Sequence, residues 1–304
     1  MSSLVYNIVA TIVFIICYSI VMGLYEKYKT SHADDALVDG IGQSMFPAIV
    51  AWLSKVMQCV ERPYEQAVHI KNKFRIELDI HRTPQNNYRE FSDDKMLIEF
   101  LLSIARTKPN TFFIIIDYMF SKYNALARVG AGSFEALLRD AGHKYTVRDN
   151  EGIMQIIERV PKEDLQLMET VLNGKNTYSD EFRDAFTELY GVNPNPTKSA
   201  GEAFQSVESA LKKLLGEDKG NNLGAIFNWL DTHRDKWQYN TPSDSQDDAS
   251  EQFLSLLNFI NKSFRKTKHG QADVSLTVSK AHSEVIIRAT ALIIHELENT
   301  IELV

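Results

Sequence analysis

The sequence predicts a mainly α protein in four parts. These are an N-terminal transmembrane helix, a helical linker region, a helical region with a small β-hairpin, and a C-terminal four-helix bundle. Three observations carry the prediction. Residues 1–25 hold no charged side chain, and 4–25 matches the roughly 20 apolar residues that a bilayer-crossing helix needs. Apolar residues recur at helical spacing through most of the remaining chain. Two short apolar runs flank Asp149-Asn-Glu-Gly152, a hairpin turn. The expected parts are 1–25, 26–90, 91–192 and 197–304.

The first segment suits lipid because a helix satisfies its own backbone groups. A secretory signal would want a basic start, a shorter apolar core and a small-residue cleavage site. Nothing before Leu4 is basic. A buried core helix is the other reading, and Asn7, Thr11 and Ser19 fit it. Lys27, Lys29 and His32 come after the span, so positive-inside logic expects a single-pass inner-membrane protein with its bulk in the cytoplasm. Tyr6 and Tyr25 suit the two interfaces.

Composition narrows the function classes. A length of 304 residues suggests two domains, and 44% hydrophobic residues can fill a core. The net charge of -7 excludes a general polyanion-binding arm. Nucleic-acid contact therefore needs a local basic patch. The two cysteines, Cys17 and Cys59, do not form a disulfide framework and suit a reducing compartment. No Cys and His residues have zinc spacing, so neither metal nor cofactor is expected.

Along the chain, residues 46–60 read as a helix with Ile49, Trp52, Leu53 and Val56 on one face. Arg82-Thr-Pro-Gln-Asn-Asn87 is a polar loop. Ser92, Asp93 and Asp94 start a helix bearing Leu97, Phe100, Leu101 and Ile104. Residues 110–123 are helical by length. Ser133 caps a short helix with Phe134, Leu137 and Leu138. Helices followed by the hairpin resemble a winged-helix module. Pro161 opens a helix with Glu163 and Asp164 in its first turn, and Phe182, Ala185, Phe186 and Leu189 face another that Gly191 stops. Asn193-Pro-Asn-Pro196 is the expected domain boundary.

The remainder is helical. Ser199 to Glu202 has the capping-box pattern, before a stripe of Ala200, Ala203, Phe204, Val207, Leu211 and Leu214. A second helix covers 223–230, and 239–248 is a polar loop. Phe253, Leu256, Leu257, Ile260 and Phe264 mark a third helix. Val285, Ile286, Ala289, Leu292 and Ile293 mark a fourth. Four buried stripes imply a bundle.

The third helix ends in Lys262-Ser-Phe-Arg265-Lys-Thr-Lys268-His269-Gly270. It carries four Lys or Arg in seven positions, with no acid among them. Cations at a helix C-terminus are favoured by the macrodipole alone, so a solvated helix end is the simpler reading. The segment Ser199-Ala-Gly-Glu-Ala-Phe-Gln-Ser-Val-Glu-Ser-Ala-Leu-Lys-Lys-Leu-Leu215, the Arg265…His269-Gly270 bend and the helix Ser279-Lys-Ala-His-Ser-Glu-Val-Ile-Ile-Arg-Ala-Thr-Ala-Leu-Ile-Ile294 together resemble the C-terminal domain of abortive-infection (AbiJ-like) phage-defence proteins. That domain belongs to the HEPN helical-bundle superfamily. Ser133-Phe-Glu-Ala-Leu-Leu-Arg-Asp-Ala-Gly-His-Lys-Tyr145 resembles the region before it.

The resemblance implies a HEPN-like bundle and a metal-independent ribonuclease working as a homodimer. Arg265 and His269 would be the catalytic pair, with Lys262, Lys266 and Lys268 on the RNA and Glu208 and His282 in support. A phage component or a second defence protein is the implied further partner. An imidazole near neutrality can exchange a proton with a ribose 2′-OH or the leaving oxygen. A guanidinium steadies the phosphate charge. Three residues separate Arg265 from His269, fewer than the family places there, and Lys266 stands where it usually has a small polar residue. A bend that binds RNA phosphates without cutting is thus the companion reading, within a non-catalytic membrane-tethered sensor of phage defence. A membrane-perturbing toxin is a third.

Other residues have simpler readings. Glu208 and Lys212 form an i,i+4 surface pair. Arg288 could line the cleft, and His295 is helix surface. His143, Lys144 and Arg148 flank the hairpin, where they could touch nucleic acid. Asp117 ends an apolar run without an evident partner in the sequence.

Overall fold

The computed structural model describes residues 40–77, 93–240, 246–268 and 277–304. The apolar run 4–25, Ser92 and the loop expected at 82–87 lie outside them. Among the described residues no helix is long and apolar enough to cross a membrane. The fold is mainly helical, with eleven α-helices and two short antiparallel strand pairs among those residues. It divides into two compact units between Arg159 and Val160.

The first unit contains α1 (Phe46–Val56), α2 (Pro63–Lys73), α3 (Asp93–Thr107), α4 (Pro109–Lys122), α5 (Asn124–Asp140), β1 (Tyr145–Asn150) and β2 (Ile153–Glu158). The face read for α1 is the one buried. Its Trp52 ring lies 4.5 Å from Phe134 and 6.1 Å from Phe120, centroid to centroid. The Trp52 indole N–H donates to the Gly130 carbonyl at 2.9 Å. Residues 46–73, expected in a linker, therefore belong to the core of this unit. The helix expected to start at Ser133 starts nine residues earlier, at Asn124. Ser133 lies inside it and donates to the Gly130 carbonyl at 3.0 Å, the local bond that lets serine sit within a helix.

The hairpin forms as read, with a tighter turn. Asn150 pairs with Ile153, so only Glu151 and Gly152 turn the chain, at φ 53° and 88°. Two successive left-handed residues make the turn that matches strand twist. The Asp149 carboxylate accepts the Gly152 N–H at 2.6 Å.

A lone hairpin is marginal in water; this one is docked by two carboxylates. Val147 and Ile156 are partners. Val147 N–H donates to Glu135 Oε2 on α5 at 2.7 Å, and Ile156 N–H donates to Asp117 Oδ1 on α4 at 2.6 Å. Both N–H groups point out of the ribbon, as non-hydrogen-bonded pairs do, and each edge gains an acceptor.

The second unit holds α6 (Lys162–Leu172), α7 (Thr177–Tyr190), α8 (Pro196–Leu215), α9 (Leu223–Thr232), β3 (Trp237–Tyr239), α10 (Gln246–Lys268), α11 (Lys280–Asn299) and β4 (Ile301–Leu303). Pro161 is the residue before α6. The expected boundary at Asn193–Pro196 is instead a tight link between α7 and α8, which pack on each other. Pro196 opens α8, and the Asn195 side chain accepts the Lys198 N–H at 3.1 Å. The capping box at Ser199 is thereby corrected. Ser199 is buried inside the helix and donates to the Ala185 carbonyl at 2.8 Å. One heptad on, Ser206 donates to the Tyr178 carbonyl at 2.7 Å. Two such bonds fix the antiparallel register of α7 and α8.

Helix α11 packs on α8, α6 and α10. Its buried face is turned from the one read in the sequence. Ile286, Ile287, Ile293 and Ile294 are buried, while Val285 is 46% and Leu292 36% exposed. Tyr178 and Tyr239 hydroxyls donate to Glu298 and Glu296 on α11. Burial and the facing carboxylate push the Tyr178 hydroxyl up to about 12, so it stays a donor at ordinary pH. β3 and β4 tie the last residues beside Trp237.

The packing of α5 gives a stability test. A Cβ on Gly130 would lie 3.0 Å from Val56 Cγ1 and 3.3 Å from Trp52, whereas one on Gly132 meets nothing. Gly130→Val should destabilise the protein by about 1–3 kcal/mol through overpacking. Gly132→Ala should stabilise it by about 0.5–1 kcal/mol through helix propensity. Denaturant unfolding reads both.

Candidate functional site

The cationic run closes α10, as read. Lys262 is exposed. Arg265, Lys266 and Lys268 occupy the last turns of α10, with side chains outside the described set. His269 and Gly270 lie outside the described residues.

The start of α11 lies beside this helix. The Ser279 side chain caps α11 by accepting the His282 N–H at 3.3 Å. His282 is exposed, and its ring meets Phe259 of α10 edge-on at 6.3 Å. Phe259 and Lys262 are neighbours on successive helical turns, so His282 and Lys262 flank one stretch of α10. Among the described residues no carboxylate pairs with either. Two bonds from α8 hold this end of α11: Val278 N–H to Thr197 Oγ1 at 3.0 Å, and Ser283 Oγ to Ser199 Oγ at 3.1 Å.

The other candidates have structural partners. Glu208 Oε1 accepts from Lys212 Nζ at 2.6 Å, and Glu208 Oε2 accepts the Leu223 N–H at 3.1 Å. The carboxylate thus sits on the N-terminus of α9, where negative charge is favoured. Arg288 bridges to Asp164 of α6 at 2.7 Å. His295 Nδ1 is 3.3 Å from the Asn299 amide.

Of the hairpin candidates, His143 is fully buried and is not a nucleic-acid contact. Its Nδ1 accepts the Tyr145 N–H at 3.1 Å, which leaves Nε2 as donor to the Gly40 carbonyl at 3.1 Å. Lys144 lies 4.9 Å over the Tyr145 ring, and Arg148 is half-buried on β1. Sequence reasoning missed Glu135, which accepts from Val147 and Thr146 and lies 3.6 Å from Arg159. It missed Arg183 too, a buried cation that donates to the Leu172 and Gly174 carbonyls at 2.8 Å. The one signal for it was a charge inside an apolar face, between Phe182 and Ala185.

Among the described residues no group of three or more His, Cys, Asp or Glu is arranged to hold a metal. The chain matches no protein-family model, no curated protein and no solved structure.

Asp117 has a titration with a clear consequence. Burial raises its carboxyl to about 6, against the opposing pull of the Ile156 N–H. As pH rises from about 4 to 6, the unfolded chain loses this proton and the folded chain keeps it. Stability should therefore fall across that window, and the penalty persists above it. Asp117→Asn keeps an acceptor for Ile156 and removes the charge. Its stability relative to wild type should rise between pH 4 and 7 by about 2–3 kcal/mol, at about 1.4 kcal/mol per unit of pKa shift. Equal differences at both pH values would contradict this.

Proposed function

We propose that the C-terminal unit acts on RNA at the bend between α10 and α11, as a metal-independent ribonuclease of the abortive-infection type with a HEPN-like bundle. One observation carries the reading. A cationic helix end, with Lys262 exposed and no described acid paired to it, stands beside the exposed imidazole of His282 on the next helix. In this reading Lys262, Lys266 and Lys268 bind phosphates. Arg265 steadies charge on the scissile phosphate. His269 takes the 2′-OH proton as the 2′-oxygen attacks phosphorus, or protonates the departing 5′-oxygen. The products are a 2′,3′-cyclic phosphate and a 5′-hydroxyl. In the same reading His282 assists, whereas Glu208 acts at a distance by holding α9. A second copy completes the cleft. Residues 4–25 anchor the chain to the inner membrane with its bulk in the cytoplasm, and the first unit serves as the sensor of a phage component or partner protein.

A second reading is a non-catalytic tethered interaction protein of phage defence. The exposed Val285 and Leu292, seven residues apart on one side of α11, favour it.

Cleavage assays in chelator separate the two. The purified full chain should cut RNA into cyclic-phosphate products and leave DNA of the same sequence intact. His269→Ala and Arg265→Ala should each lower the rate by at least about 100-fold, the scale of a lost acid–base group. RNA left whole by a folded, dimeric wild type selects the interaction protein, and RNA cut by both variants as fast as by the wild type overturns Arg265 and His269 as the site.

A further inference from the structure

A second cationic surface lies in the first unit, where the ends of α2 and α4 meet. The His69 Nε2 and the Tyr118 hydroxyl are 2.9 Å apart, with their rings stacked at 6.1 Å. Lys73 Nζ lies 4.3 Å from the Tyr118 ring centroid, and Lys122 Nζ lies 5.5 Å from it. Lys122 is also 5.2 Å from the Tyr123 ring and donates to Gln66 Oε1 at 3.3 Å. Phe74 packs edge-on against Tyr118 at 5.6 Å. Lys73, Arg75 and Lys122 are exposed, and Lys71 is half-buried. Among the described residues no carboxylate pairs with any of these four cations.

The macrodipole favours Lys71 and Lys73 in the last turn of α2 and Lys122 in that of α4, but it does not ask for Arg75. The backbone itself closes α2: Ile76 N–H donates to the Lys71 carbonyl at 2.9 Å and Arg75 N–H to the Asn72 carbonyl at 3.3 Å. That closure wants a left-handed residue, normally glycine. Arg75 fills it at φ 50°. A cation therefore stands where local stability prefers glycine, and strain of this kind points to a role outside folding.

The choice of ligand comes from the rings. Both ammoniums already lie over Tyr118, where they compete with the base stacking that single-stranded nucleic acid uses. Clustered cations flanked by tyrosine and phenylalanine instead suit a plane of phosphate headgroups. Chain length agrees. Residues 26–39 separate the apolar run from the described unit, a reach of at most about 50 Å at full extension. We propose that this face of the first unit docks on an anionic lipid surface through Lys71, Lys73, Arg75 and Lys122. The high local concentration of lipid, though not the chemistry of the patch, rests on the membrane anchor proposed above.

Vesicle co-sedimentation of the full chain tests this and keeps the two ideas apart. The vesicles are phosphatidylcholine alone, or phosphatidylcholine with about one third phosphatidylserine. The expected result is binding to both, tighter on phosphatidylserine by roughly tenfold or more, with the excess lost at high salt. Lys73→Glu with Lys122→Glu should abolish the excess, and the paired Arg variants should keep it. Arg75→Gly should reduce the excess without lowering the unfolding temperature, which a purely structural role for Arg75 could not produce. Binding to phosphatidylserine vesicles alone, lost in the Glu variant, supports the patch and removes the anchor. Binding indifferent to phosphatidylserine or to the Glu pair overturns the patch and leaves the anchor standing. A Glu pair that loses RNA binding and keeps the phosphatidylserine excess would also overturn it, by assigning the surface to nucleic acid.

Discussion

The first turns of α8 hold the second unit in register. Ser199 contacts two other helices, through the Ala185 carbonyl on α7 and the Ser283 hydroxyl on α11. Thr197, just before it, holds the backbone at the entry to α11. Serine is small enough to let three helices approach, and each hydroxyl finds a partner, as buried polar groups must. The consequence reaches the candidate site. Where α8 pins the start of α11, His282 is set against Phe259 on α10, and one wall beside the cationic helix end is fixed.

Most helices were legible because burial imposes a period of 3.6 residues. The stripes on α1 and α3 could be read residue by residue, and that on α8 as far as Leu211, after which Leu215 rather than Leu214 is buried. Three of the errors share a physical origin: the wrong competing role was assigned to a small or turn-forming residue. Ser133 and Ser199 look like caps, yet both act inside helices, where a hydroxyl can bond a carbonyl instead of a helix N-terminus. Pro196 breaks a helix from one side and begins one from the other, so Asn193–Pro196 reads as a domain boundary although the chain only reverses there. The face of α11 was misjudged at Val285 and Leu292 because an apolar residue on a rich helix does not say which neighbour it meets.

The candidate site was legible in part. The density of Lys and Arg at 262–268 stands out against a chain of net charge -7. The proximity of His282 did not, since it depends on how α10 and α11 pair. Glu208 was noticed for its i,i+4 partner, while its second oxygen serves α9, a contact that no spacing rule encodes. The patch around Tyr118 was invisible for the same reason. Its cations come from helices far apart in sequence, and only tertiary packing brings them together.

If RNA engages the segment between α10 and α11, ultraviolet cross-linking of the full chain to a uridine-rich RNA, followed by mass spectrometry of the peptides, should show it there. Adducts should concentrate in residues 262–282, with His282 or its neighbours among them. Adducts confined to the first unit, or none above a serum-albumin control, would rule this engagement out.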